Sequence, residues 1–269
     1  MNVLIVYAHE EPRSFNGAMR DKAAEVLRGC GHAVEVSDLY AMRFNPVGGK
    51  HDFTTLADPD FFKYGAEQTK ATAGRTFAAD VAGEQEKLFR ADFLIFQFPL
   101  WWFGLPAVLK GWVDRVFAAG LTYGGGRWYS NGVFRGKRAM LSLTTGGAAD
   151  IYGPRGLNGE MDALLFPIQH GMLYFVGFDV LPPFVAWAVA RSTEEQRHAY
   201  LRAYADRLTA WQTTAPLPFP TLAEYDEAFQ RKAPERERPS PAPAATPAFA
   251  RGRQGVTRGG TQHPARPGV

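Results

Sequence analysis

Residues 91–112 read ADFLIFQFPLWWFGLPAVLKGW. The first nine, ADFLIFQFP, are apolar on both alternating sets of positions, which suits a strand buried on both faces of a sheet. Pro106 fits the first turn of a helix. Beyond it Val108, Leu109, Trp112, Val113, Val116 and Phe117 form one apolar stripe, with Lys110, Asp114 and Arg115 away from it. The stripe already supplies the core between helix and strand. Trp101, Trp102 and Phe103 are therefore left in the loop at the strand's carboxyl end, where a flat ligand to stack on explains them better than core packing does.

The same alternation runs through the rest of the chain. NVLIVYA (2–8) is a second run of the buried-strand type, and NGAMRDKAAEVLRGCG (16–31) is a helix with Met19, Ala23, Val26 and Leu27 on one face and Gly29 or Gly31 at its end. HAVEVSDL (32–39) reads as a strand, and residues 41–80 as a long irregular insertion of turn residues and scattered aromatics. DVAGEQEKLFRA (80–91) is a helix, KRAMLSLTT (137–145) a strand, GEMDALLFPIQHGMLYFVG (159–177) largely helical and FDVLPP (178–183) a fifth strand. STEEQRHAYLRAYADRLTAW (192–211) opens on a Ser192/Thr193 cap followed by glutamates, a helix start. Strands alternating with helices give the α/β class with a parallel sheet wound on both faces. Five strands of this kind predict the flavodoxin-like order 2-1-3-4-5, whose ligands bind outside the carboxyl ends, between the first and third strands.

Composition narrows the setting. The chain has 269 residues, 46% hydrophobic, enough for one sizeable core. Cys30 is the single cysteine, so neither an intrachain disulfide nor a cysteine-based zinc site is expected, and a reducing, cytoplasmic location fits. The start has no signal-peptide pattern and no window reaches the ~18 apolar residues of a membrane span, so no membrane insertion is expected. The net charge of +3 is uneven: residues 234–269 carry six Arg and two Glu, leaving the rest at about −1. The basic pI therefore belongs to the tail and gives no sign of a nucleic-acid-binding face. Residues 1–233 are expected to form the folded domain. The Pro/Arg/Gly-rich residues 234–269, without Leu, Ile, Met, Trp or Tyr, are expected to form a disordered tail.

Three segments follow predicted strand ends. After the first strand, His9, Ser14 and Asn16 lead into a helix N-terminus, where free N–H groups favour a phosphate. After the third comes PLWWFG, and after the fourth TTGG (144–147), whose paired glycines admit a ring closely and whose hydroxyls can bond its edge. No G-x-G-x-x-G occurs at the first turn, so this is not the usual dinucleotide fingerprint. Phosphate at one end and a flat heteroaromatic at the other describe a flavin nucleotide.

HEEPRSFNGAM (9–19), SDLYAMRFNP (37–46), FQFPLWWFGLPAVLKGWVDRVF (96–117), LSLTTGG (141–147) and FPIQHGMLYFVGF (166–178) resemble the NAD(P)H:quinone oxidoreductases of the DT-diaphorase type, over roughly residues 2–212. The resemblance implies a homodimer that binds FAD and passes hydride from a reduced nicotinamide, NAD(P)H or a related one, to a quinone by a ping-pong scheme. It implies that His9, Ser14, Phe15 and Asn16 hold the pyrophosphate and ribityl chain, and that Pro99, Leu100, Trp102 and Phe103 contact the flavin. Trp102 and Phe103 would also floor the substrate pocket. Thr144, Thr145, Gly146 and Gly147 match the loop at the isoalloxazine edge, Tyr152 a tyrosine near its pyrimidine end, and Val189, Arg197 and Leu201 the adenine-end contacts. Tyr123 and Trp128 match pocket-lining positions contributed by the neighbouring subunit.

Departures from the pattern also carry expectations. Asn158 stands where many members have a histidine that, with the tyrosine, stabilises charge on the reduced flavin; asparagine can donate a hydrogen bond but no proton at neutral pH. Tyr152 and Asn158 are thus the catalytic candidates. A second gating tyrosine is replaced by glycine in the run Thr122-Tyr123-Gly124-Gly125-Gly126. His170 matches one ligand of a sibling's metal site, but Tyr174 replaces the second and Cys30 is remote, so no metal is expected and His170 should make a local hydrogen bond. Two alternatives stay open at this point: reduction of azo or nitro compounds with the same flavin, and a regulatory flavoprotein that partners a membrane transporter.

Overall fold

The computed structural model describes residues 1–232, so the expected disordered tail, 234–269, lies outside the described residues. Five strands, β1 (Asn2–Tyr7), β2 (Ala33–Asp38), β3 (Phe93–Pro99), β4 (Arg138–Thr144) and β5 (Asp179–Ala186), form one parallel sheet in the order β2-β1-β3-β4-β5. The helices are α1 (Phe15–Gly29), α2 (Tyr64–Gly74), α3 (Ala79–Arg90), α4 (Ala107–Val116), α5 (Met161–Ile168) and α6 (Glu194–Thr209). The period-2 alternation of the central strands sorts side chains into two cores. Leu4, Val6, Leu94, Phe96 and Phe98 meet Leu88, Leu109, Trp112 and Leu165 from α3, α4 and α5. Val3, Ile5, Phe93 and Ile95 meet Met19, Leu27, Tyr204 and Leu208 from α1 and α6. With β1 and β3 buried on both faces, the strands end together at one rim.

The insertion is more ordered than its sequence suggests: it contains α2. That helix buries Glu67, Gln68 and Ala71, mostly polar residues, so it shows no apolar period to read. Glu67 accepts the N–H groups of Ala57 and Asp58 at 2.6 and 3.1 Å, and Gln68 accepts that of Ala119 at 3.1 Å. The insertion is pinned to α4 through Arg115, which is buried and not solvated as its place off the apolar stripe suggests. Its guanidinium donates to Asp52 Oδ1, Asp80 Oδ2 and the Asn45 carbonyl, each at 2.8 Å. The Tyr64 hydroxyl donates to the other Asp52 oxygen at 2.5 Å, and burial pushes the Tyr64 pKa up.

The 159–177 segment starts as α5 and, after Pro167, widens into a π-helix over Gln169–Tyr174. β5 runs three residues past FDVLPP and carries Pro182 and Pro183 inside it. It is an edge strand, where missing N–H donors are tolerated, and its register with β4 shifts between Met140 and Ser142.

Candidate functional site

The β1, β3 and β4 rims meet α6 around one cleft of about 870 Å³. On the β1 side, His9 Nδ1 accepts the Glu11 N–H at 3.1 Å, which leaves Nε2 as the ring's donor. Ser14 caps α1, its Oγ accepting the Gly17 N–H at 3.1 Å. The loop folds tightly over that first turn: a Cβ on Gly17 would fall 1.9 Å from the Pro12 carbonyl oxygen. The N–H groups of Phe15 and Asn16 have no acceptor among the described residues and carry the positive end of the α1 dipole. Arg13, Arg197, His9 and His198 line the cleft against one carboxylate, Glu194, so its lining favours an anion.

At the β3 rim the chain makes a two-residue hairpin. Trp101 N–H donates to the Gly104 carbonyl at 3.2 Å and Gly104 N–H to the Trp101 carbonyl at 3.0 Å. The two tip residues, Trp102 and Phe103, take φ of 50° and 59°, where side chains are disfavoured. Strain of this kind persists where surrounding structure imposes it and is concentrated at functional sites. Trp101 lines the cleft, whereas Trp102 is 97% exposed and Phe103 46% exposed beyond its mouth. The aromatics that the helix stripe left over are indeed outside the core, two of them as an unpartnered surface.

At the β4 rim, Thr145 Oγ1 donates to the Gly147 carbonyl at 2.7 Å, and Arg191 donates to the Gly146 carbonyl at 2.7 Å. A Cβ on Gly146 would meet nothing within 4 Å, while one on Gly147 would lie 2.4 Å from Ile151 Cδ1. Gly146 thus faces the cleft, and Gly147 is small for the packing of the turn behind it. α6 closes the far end with Glu194, Arg197, His198 and Leu201.

Of the residues expected from sequence, His9, Ser14, Phe15, Asn16, Pro99, Leu100, Thr144, Thr145, Gly146, Val189, Arg197 and Leu201 line this one cleft. Trp102, Phe103, Gly147, Tyr152 and Asn158 do not. Tyr152 packs against Trp187 at 5.4 Å between ring centroids, and Asn158 donates its N–H to the Ile151 carbonyl at 2.9 Å, both on the segment behind the β4 turn. Tyr123 and Trp128 are not brought to the cleft either. Trp128 lines an apolar cavity of about 530 Å³ with His170, Phe175 and Phe229; Tyr123 lines a more polar one of about 650 Å³ with Lys110 and Asp114, and Phe175 borders both. Trp101, expected at the strand end, also lines the cleft, and sequence reasoning missed Arg13, Ala18, Ala190, Glu194 and His198. Glu194 and His198 lie four apart on α6, as Arg197 and Leu201 do, so helical spacing from the last pair could have found them.

The His170 imidazole makes no hydrogen bond within the described residues, contrary to expectation. It stacks on Phe166 at 4.7 Å and touches Phe219 at 5.1 Å, and burial pushes its pKa down. The Tyr174 hydroxyl donates to the Pro220 carbonyl at 2.9 Å. Among the described residues no group of three His, Cys, Asp or Glu converges to hold a metal, and no helix is long and apolar enough to cross a membrane.

Residues 1–208 match the family described as having a flavodoxin-like fold. The chain is 46% identical to the ribosyldihydronicotinamide dehydrogenase [quinone] of Pongo abelii, over 80% of this chain and 94% of that one. It is 44% identical to NAD(P)H dehydrogenase [quinone] 1 of Cavia porcellus, over 84% and 83% respectively. Among solved structures, a putative quinone reductase from Klebsiella pneumoniae superposes with a TM-score of 0.84 at 44% identity, covering 88% of this chain and 97% of that one.

Proposed function

Because the chain belongs to the flavodoxin-like family, within its NAD(P)H:quinone oxidoreductases, we propose that it is an FAD-dependent enzyme reducing quinones by two electrons from NAD(P)H or a related dihydronicotinamide. One observation carries the FAD assignment: a single cleft joins the β4 rim, the α1 N-terminus and, beyond it, α6. A mononucleotide ends at its phosphate; the space between α1 and α6 suits a further adenylate. When bound, FAD supplies acceptance and donation of hydride.

The residues divide the binding task by their chemistry. Phe15 and Asn16 N–H groups, the Ser14 hydroxyl and His9 Nε2 bind the pyrophosphate. Trp101 and Leu100 support the ring from the β3 side, and Thr144, Thr145 and Gly146 bond its polar edge. Arg197, Val189 and Leu201 hold the adenine end. Tyr152 and Asn158 are assigned the stabilisation of negative charge at the ring's pyrimidine end.

Substrates rest on Trp102 and Phe103. A second copy of the chain supplies Tyr123 and Trp128 to wall that surface, which makes the enzyme a homodimer. One exposed aromatic surface beside one cleft supports sequential use by donor and acceptor, the ping-pong order. Heat-released cofactor compared with standards tests the assignment: FAD at one per chain is expected, and FMN alone would refute it. Light scattering should give a dimer, and an active flavin-saturated monomer would exclude the shared pocket.

A further inference from the structure

β3 carries one polar residue in its buried interior, Gln97, with no solvent exposure. By alternation it points to the α1 face, with Phe93 and Ile95. Its Nε2 donates to Asn16 Oδ1 at 2.9 Å, and Asn16 Nδ2 donates to Thr144 Oγ1 at 2.9 Å. All three side chains are buried, and Asn16 and Thr144 both line the cleft. A polar chain therefore runs from the centre of the sheet to the junction of the phosphate-binding turn and the TTGG loop.

The direction of this chain has consequences. Thr144 Oγ1 is the acceptor, so its own hydrogen is free, and no protein acceptor for it occurs among the described residues. Read in reverse, with both amides turned over, Thr144 would donate inward and present only lone pairs. Met19 decides between the two. Its sulfur lies 3.9 Å from Gln97 Nε2 and can take the second amide hydrogen, whereas a turned Gln97 would aim its oxygen at a group with nothing to donate. The cost is an unpartnered Gln97 Oε1. A leucine at this position would remove that orphan but leave the buried Asn16 Oδ1 without its donor, so the glutamine serves direction at a cost in its own satisfaction.

We infer that Gln97 is a positioning residue: it fixes the Asn16 amide and, through it, holds the Thr144 hydroxyl as a hydrogen-bond donor toward an acceptor atom of the bound cofactor. This rests on the FAD reading above.

The test is a cycle of Gln97→Met, Thr144→Val and the double variant, each stripped of cofactor and titrated with FAD by fluorescence quenching. Losing one buried hydrogen bond is worth about tenfold in affinity, so Gln97→Met should weaken FAD binding by about that factor. In the Thr144→Val background the same change should have less than a twofold effect, because the hydroxyl it orients is gone. Equal losses in both backgrounds, or no loss in either, would overturn the inference.

Gln97→Glu supplies a readout that simple misfolding does not give. Protonated, it can still donate to Asn16 Oδ1; ionised, it repels that oxygen and turns the amide. Its FAD affinity should fall as pH rises while the parent's stays level, and a level profile in both would count against the chain. Should Gln97→Met fail to fold, this profile decides alone. If the unaltered protein itself binds no FAD, the functional proposal fails, not the positioning role alone.

Discussion

Trp101 and Gly104 exchange backbone hydrogen bonds of 3.2 and 3.0 Å, and that pair forces Trp102 and Phe103 into left-handed backbone at the tip. Asparagine and glycine are the residues such a turn prefers. Replacing Trp102→Asn together with Phe103→Gly should relieve about 1–3 kcal/mol of strain per position, less what the half-exposed Phe103 ring contributes. We expect the melting temperature to rise by about 4 °C. Quinone kcat/KM should fall at least about tenfold, since the surface is then lost. A variant that is stabilised and equally active would remove the aromatic tip from the substrate site.

Tyr152→Phe should slow reduction of the flavin by NAD(P)H in stopped flow, with FAD affinity unchanged within about twofold. A single donor to developing charge is worth ~10²–10³ in rate. Tyr152 is only half-buried and lies behind the cleft lining, so water can replace part of it and about tenfold is expected. Asn158→His should alter the nicotinamide half-reaction more than the quinone half-reaction. Parent-like reduction by Tyr152→Phe would leave the β4 turn to hold the charge alone.

Arg115→Ala should destabilise the protein by about 3–5 kcal/mol, because Asp52 is then left buried without its cation. Urea denaturation should show the loss. Proteolysis should cut first within residues 41–63, the stretch whose anchor has gone. A loss below about 1 kcal/mol would mean that water replaces the guanidinium.

Stability should fall on acidification below pH 7. Burial holds the folded-state pKa of His170 below its ordinary value near 6.5, so the unfolded chain takes up the proton first. The contribution is fully present above that ordinary value and is lost as pH falls through the folded one. In His170→Phe, which keeps the stack on Phe166, the decline between pH 7 and 5 should be shallower in thermal melts. Identical slopes would place the acid sensitivity elsewhere.

The parts of the fold legible in sequence were those written in apolar periodicity. NVLIVYA and FLIFQFP announce buried strands because both faces are apolar, and once they are placed, the loops after them mark the rim. α2 was invisible because Glu67 and Gln68 do its burying, and polar side chains that bond loop N–H groups leave no period. The site was half legible for a related reason. His9, Ser14 and TTGG lie next to strand ends and follow from topology. Glu194 and His198 follow by helical spacing only once Arg197 and Leu201 are placed at the cleft, and that face of α6 meets the cleft because α6 packs on α1, a tertiary relation. Gln97 was passed over as one polar letter in an apolar strand, although that exception was itself the signal.

Pro182 and Pro183 bear on how copies of this chain can meet. An exposed edge strand is a template on which further strands can add, the step that begins fibrils. In β5 the two prolines have no N–H to offer, and neighbouring acceptors are already taken: Leu217 N–H donates to the Val180 carbonyl at 2.7 Å and Arg207 to that of Pro182 at 2.6 Å. The sheet is closed to extension along this border. Self-association is thereby steered from open-ended strand addition toward finite pairing through side-chain surfaces, and a crowded solution of the protein keeps one fewer route to aggregation.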